Sequence, residues 1–201
     1  MTPRAPRLSR DAILDQARSM IVERGLAELS LRRLATRLDV TAPSLYRFFD
    51  SKDAIVTAIA EAEFAQLIEV IERSAAAFDD PIEQIKAQSR AYVERAVASP
   101  ALFEVMFVYR PPWTDAPTAP ELPLASKAWQ IASVAVDRAI ADGQLRELDP
   151  VLAALTIWSA VHGVATLLSL GTRAGAPEDR VLLDSVVDAI VDGLAVRNPP
   201  R

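Results

Sequence analysis

Arginines and hydroxyls gather in one early stretch, SLRRLATRLDVTAPSLYRFF, residues 30–49, around two very short apolar stripes. In its second half Leu45, Phe48 and Phe49 share an inward side at helical spacing, which leaves Pro43, Ser44 and Arg47 outward with Ala42 at the edge. Such a face suits recognition better than catalysis. Arg47 can form a bidentate pair with guanine, and Ala42 or Pro43 can touch a thymine methyl. A second constellation, Trp158 and His162, stands one turn apart much later in the chain. The absence of cysteine removes thiol catalysis, disulfides and thiolate metal sites, and the single histidine argues against zinc, so neither metal nor cofactor is expected.

Helices must position these residues. Ser9 is a good N-cap for residues 10–24, where Ile13, Ala17, Met20 and Ile21 fall on one face and Gly25 stops the run. Ser30 caps 31–38, Thr41 caps 42–49 with Pro43 tolerated in the first turn, and Ser51 caps a long helix from Lys52 to about Ala77. Eight-residue helices cannot sustain themselves in water, so this pair must pack on its neighbours. The break Asp39-Val40-Thr41 matches a helix-turn-helix, without the turn glycine that many have, and its second helix is shaped for the DNA major groove. Further starts lie at Asp79–Pro81 and Ala98–Pro100, five of the fourteen prolines between Pro111 and Pro123 mark a long loop, and helices resume at about 122–142, 150–170 and 179–196.

Charge divides along the chain. Through Lys52 there are ten Lys/Arg against six Asp/Glu, a net of +4, and beyond it twelve against twenty-one, a net of −9. A basic first quarter can face a polyanion, which the acidic remainder cannot. The N-terminus lacks the apolar run of a secretory signal, so a cytoplasmic location is expected. Residues 151–170 carry no formal charge and must be weighed as a membrane span. Polar interruptions from Thr156 to Ser169 and flanks without a basic cluster favour a helix buried on both sides instead, and no membrane partner is expected.

Leu29 to Ala54, LSLRRLATRLDVTAPSLYRFFDSKDA, resembles the DNA-binding signature of the tetracycline-repressor (TetR) family, with R-x-L-A, V-x-x-x-x-L-Y-x-x-F and K-D/E at the family's spacing. The resemblance covers about residues 8–55 and implies an all-α chain of about nine helices: a helix-turn-helix domain over 1–54, and a helical effector-binding and dimerisation domain over 55–201. It implies phosphate contacts by Thr41, Tyr46 and Lys52, and a base-reading or phosphate-binding role for Arg32. Arg33 is its alternative neighbour. Phe48 departs from the family, many of whose members have histidine there, and so removes a phosphate contact. Arg4, Arg7 and Arg10 form either a minor-groove arm or a frayed terminus. WSAVHGVATLLSLG, 158–171, is similar to the tryptophan/histidine-glycine segment of one type of TetR C-terminal domain, and SPALFEVMF, 99–107, to that type's upstream segment.

In that second domain, Trp158 and His162 are either core residues or the border of an effector cavity with Phe103, Met106, Phe107, Tyr109, Trp113 and Trp129. The dearth of basic residues there favours a neutral, largely apolar effector. Ser159 and Gly163 permit close helix approach, and the stripe Leu183, Val186, Val187, Ile190, Val191 and Leu194 is wider than one face requires, so the last two helices are expected to form a four-helix dimer interface. The expected function is a dimeric repressor that binds a palindromic operator and is released by a small effector. A hydrolase using the cavity is the alternative, opposed by the lack of G-x-S-x-G and of any metal-ligand spacing, as is a helical adaptor, opposed by the outward arginines.

Overall fold

The computed structural model describes residues 8–107, 122–171 and 178–196. These form nine α-helices: α1 (Arg10–Arg24), α2 (Leu31–Arg37), α3 (Ala42–Leu45), α4 (Lys52–Ala75), α5 (Pro81–Ala98), α6 (Pro100–Phe107), α7 (Pro123–Ala141), α8 (Pro150–Ser169) and α9 (Asp179–Leu194). A 3-10 turn, Leu26–Glu28, follows α1. Two compact units result, Met1–Glu63 with Ala101–Leu122, and Phe64–Pro100 with Pro123–Arg201. The expected boundary at residue 54 lies inside the first of them.

In the first unit the polar caps act as written in the chain. Ser9 accepts from the Ala12 amide, Ser30 from the Arg33 amide and Ser51 from the Ala54 amide, each satisfying an orphan donor of a first turn. Ile13, Ala17, Met20 and Ile21 are buried together with Leu34, Leu45, Phe49, Ile55 and Ile59, and Leu102 and Val105 of α6 join the same core. Among the described residues of this unit, Glu63 of α4 is a buried charge, 1 % exposed, and meets Arg18 of α1 at 2.7 Å.

Two local expectations change here. The Thr41 hydroxyl does not cap α3 but lies 2.9 Å from the Ser44 hydroxyl. The helix is also one turn rather than two, because residues 46–48 are turn residues and the Phe48 and Phe49 amides both return to the Leu45 carbonyl. The left-handed residue of the helix-turn-helix is Asp39, with φ 54°, a conformation that Asp tolerates better than most residues that carry a Cβ.

In the second unit α5 packs against α7, α8 and α9. Asp80 and Asp149 cap α5 and α8, accepting from the Ile82 and Leu152 amides, with Pro81 and Pro150 in the first turns where a missing N–H costs nothing. α9 ends at Leu194, not 196, because the chain turns extended: Leu145 and Ala195 form an isolated bridge, and the Val196 amide donates to the Gln144 carbonyl at 3.1 Å. Ion pairs Lys86–Asp188 at 2.8 Å and Arg90–Asp184 at 2.7 Å tie α9 to α5. α8 is long and apolar enough to cross a membrane, with mean hydropathy 1.8, yet its Ala153, Ile157, Val161, Val164 and Leu168 are buried within the unit.

The expected dimer residues on α9 need correction. Val187, Val191 and Leu194 are each 5 % exposed or less, because the stripe packs inward on the unit's own helices. Ile190 is half-buried. Ser159 and Gly163, by contrast, are exposed, and a Cβ built on Gly163 would meet nothing within 4 Å.

Candidate functional site

The first unit sorts its arginines by partner. Arg33 is drawn to Glu28 by an ion pair. Arg37 turns onto α1, donating to Glu23 at 2.7 Å and to Gln16 at 3.0 Å, and its guanidinium with the Ser19 hydroxyl holds the Glu23 carboxyl down at about 2. The Arg32 and Arg47 side chains are exposed, and neither guanidinium makes a hydrogen bond or ion pair among the described residues. Arg32 is the second residue of α2, and Arg47 lies in the turn just past α3. The surface around that turn also carries Tyr46, 54 % exposed, with Thr41 and Pro43 exposed and Ala42 and Ser44 half-buried. Lys52 is half-buried at the start of α4 and donates to the Leu26 carbonyl at 3.4 Å. A guanidinium held without an internal partner keeps its donor capacity for something else, and here two such groups stand with a phenol and two hydroxyls on one small unit.

The second unit carries an aromatic cluster across α5, α7 and α8. Trp158 and His162 stack with centroids 4.9 Å apart, Trp129 meets Trp158 edge-on at 6.4 Å, and the Tyr92 hydroxyl lies 2.8 Å from His162 Nδ1. Tyr92 also takes a hydrogen bond from Trp158. An indole only donates, so the phenol oxygen accepts from Trp158, and the phenol keeps its own proton beside His162 Nδ1. Burial pushes the Tyr92 phenol up, keeping that proton in place.

Residues 13–59 match the family described as bacterial regulatory proteins, tetR family, and residues 85–193 match the tetracyclin repressor-like C-terminal domain. The chain belongs to the TetR family. The HTH-type transcriptional regulator Rv0681 of Mycobacterium tuberculosis is 26 % identical over 186 residues, covering 92 % of this chain and 81 % of the relative. A protein structure from Rhodococcus sp. RHA1 superposes with a TM-score of 0.82 at 27 % identity, covering 98 % of this chain and 100 % of the other. AibR, solved in complex with isovaleryl coenzyme A and operator DNA, has a TM-score of 0.67 at 19 % identity over 90 % and 96 % of the two chains, a likeness of fold. This TetR protein is thus a transcriptional regulator with a helix-turn-helix DNA-binding domain.

Of the residues expected to line an effector cavity, Trp129, Trp158 and His162 come together in the second unit. Phe103, Met106 and Phe107 sit on α6, grouped with the first unit, where the Phe103 and Phe107 rings contact each other at 4.8 Å. Tyr109 and Trp113 lie outside the described residues, as do Arg4 and Arg7. Tyr92 was not anticipated: it stands 70 residues from His162, and nothing in the local pattern of α5 distinguishes it from a core aromatic.

Acid should loosen this cluster. Burial holds His162 below its ordinary value of 6.5, so the unfolded chain binds the proton more tightly than the folded one. The stability this neutral imidazole contributes is complete above the unfolded value and is lost as pH falls below it. The urea midpoint of the second unit, followed by tryptophan emission, should therefore drop between about pH 7.5 and 5.5, and His162→Gln should flatten the drop. An equal drop in the variant would assign the effect to other groups.

Proposed function

We propose that this regulator is a dimeric repressor. Arg47 and Arg32 read an operator, Thr41, Tyr46 and Lys52 fix it by phosphate contacts, and Pro43, Ser44 and Ala42 complete the base-facing surface. The observation that carries the reading is the partition of arginines: Arg33 and Arg37 are spent on internal carboxylates while Arg32 and Arg47 project outward. A one-turn α3 held on a buried core presents that surface to the major groove.

The dimer surface of this reading is the outer face of α8. Leu152, Leu155, Leu167 and Leu170 are all more than two-fifths exposed, and Ser159 and Gly163 lie between them at a spacing that lets a second helix approach closely. Ser185, Ala189 and Gly193 give α9 a matching exposed row of small side chains. Two copies joined there present two recognition surfaces, so the operator is a palindrome.

A small effector with an apolar portion releases the operator by binding at the Tyr92–Trp158–His162 cluster. The isovaleryl coenzyme A bound by AibR, which shares the fold, joins a short apolar acyl group to a charged carrier and supports an effector with an apolar portion, which the aromatic cluster suits. α4 is the continuous element running from Lys52 into the second unit and serves as the covalent route for the coupling.

The test is selection of DNA from a random pool, followed by two substitutions. Arg47→Ala should weaken the recovered palindrome by about 1–3 kcal/mol per contact and relax one position in each half-site. Lys52→Ala should instead weaken all sequences by a similar factor and flatten the salt dependence by about one phosphate per subunit. Wild-type affinity and preference in both variants would overturn the assignment of this face.

A further inference from the structure

Arg10 opens α1, where a cation meets the positive end of the helix dipole and is disfavoured, so helix stability does not account for it. Its side chain reaches the far end of the recognition segment. Nη1 donates to the Phe48 carbonyl at 3.2 Å, and the guanidinium carbon lies 4.1 Å from the centre of the Phe49 ring. Leu45 and Phe49 hold the segment to the core from within, and the Phe48 and Phe49 amides bond to the Leu45 carbonyl, while Arg10 ties its end to α1 from outside. α3 is one turn long without a side-chain cap, and Tyr46 and Arg47 project from turn residues beyond its end. The Phe49 ring itself is anchored in the core, 3 % exposed, so a guanidinium that grips both ring and carbonyl ties the turn to α1.

We propose that Arg10 is a positioning residue for DNA recognition, its guanidinium clamping the turn at residues 46–49 and so setting where Arg47 and Tyr46 project. The proposal rests on the DNA-binding reading of that face and assigns Arg10 a role other than a minor-groove arm. Replacing an arm residue would relax the flanking base pairs whose minor groove it enters, not the position that Arg47 reads. A clamp acts through the residue it aims.

Arg10→Ala, Arg10→Lys, Arg47→Ala and the Arg10→Ala/Arg47→Ala double variant are measured on the selected operator and on a scrambled duplex of equal length. Arg10→Ala should lose about five- to tenfold more affinity for the operator than for the scrambled duplex. It should relax the same base pair as Arg47→Ala and add little in the double variant. Arg10→Lys should recover part of the loss, since an ammonium keeps the carbonyl contact but not the planar stacking. Equal loss on both duplexes with a shallower salt dependence would make Arg10 a phosphate contact and overturn the proposal. Amide exchange in the free protein separates the clamp from the DNA reading. Arg10→Ala should speed exchange at Phe48 and Phe49, whose amides bond to the Leu45 carbonyl, while α1 stays protected. Unchanged exchange there overturns the clamp, whereas faster exchange with no sequence recovered by selection supports the clamp and sinks the DNA reading.

Discussion

Arg18→Ala should destabilise the first unit by about 3 kcal/mol, the low end for a buried ion pair broken from one side. Glu63 sits 1 % exposed among the apolar residues of α1 and α4, and the substitution strips its carboxylate of the guanidinium at 2.7 Å. Arg18 is itself 29 % exposed, so water screens part of the attraction and the upper end of the range does not apply. The double substitution Arg18→Met/Glu63→Leu should return most of the lost stability, because two apolar side chains of similar volume remove the desolvation cost along with the attraction. Amide exchange at Leu34 and Leu45 in the core of this unit reports both effects. A double variant as unstable as Arg18→Ala would show that packing, not charge, carries the penalty.

Whether a residue's role was legible in the chain depended on the range of its partners. Ser9, Ser30, Ser51, Asp80 and Asp149 act on amides two or three residues away, so their caps can be read directly. Thr41 has the same local signature but finds a nearer alternative in the Ser44 hydroxyl, a competition that residue type does not rank. The core face of α1 was equally plain, since a helix with one apolar side has one way to bury it. α9 has apolar residues on more than one side, and periodicity cannot say which side meets its own unit. Lys86 and Arg90 on α5 decide it by pairing with Asp188 and Asp184, contacts that span about a hundred residues of chain. The candidate DNA surface shows both cases: Arg47 lies opposite a readable apolar stripe, while the difference between Arg32 and Arg33 rests on Glu28 being in reach of only one of them. Tyr92 belongs with the long-range cases, because its hydrogen bond to His162 has no counterpart in the sequence of α5.

Leu167→Glu should turn a dimer into a folded monomer and cut operator affinity by about 10²- to 10⁴-fold, the loss expected when two linked half-site contacts become one. Leu167 is 56 % exposed on the outer face of α8, so a carboxylate there costs the isolated chain little, whereas across a two-fold axis it would be buried against apolar side chains and its own symmetry mate. Gly163→Leu tests the same surface by volume. The space beyond Gly163 is open within one chain, so the added side chain should keep the monomer folded and, by removing a helix-interior glycine, raise its thermal unfolding temperature slightly while blocking the approach of a second helix. Light scattering at micromolar concentration gives the oligomeric state, and circular dichroism confirms that both variants remain folded. Affinity for a single half-site should be nearly that of the wild-type protomer, since no group on the DNA-facing surface has changed. A wild-type protein that scatters as a monomer, or variants that stay dimeric with full operator affinity, would place the dimer contact elsewhere than on α8.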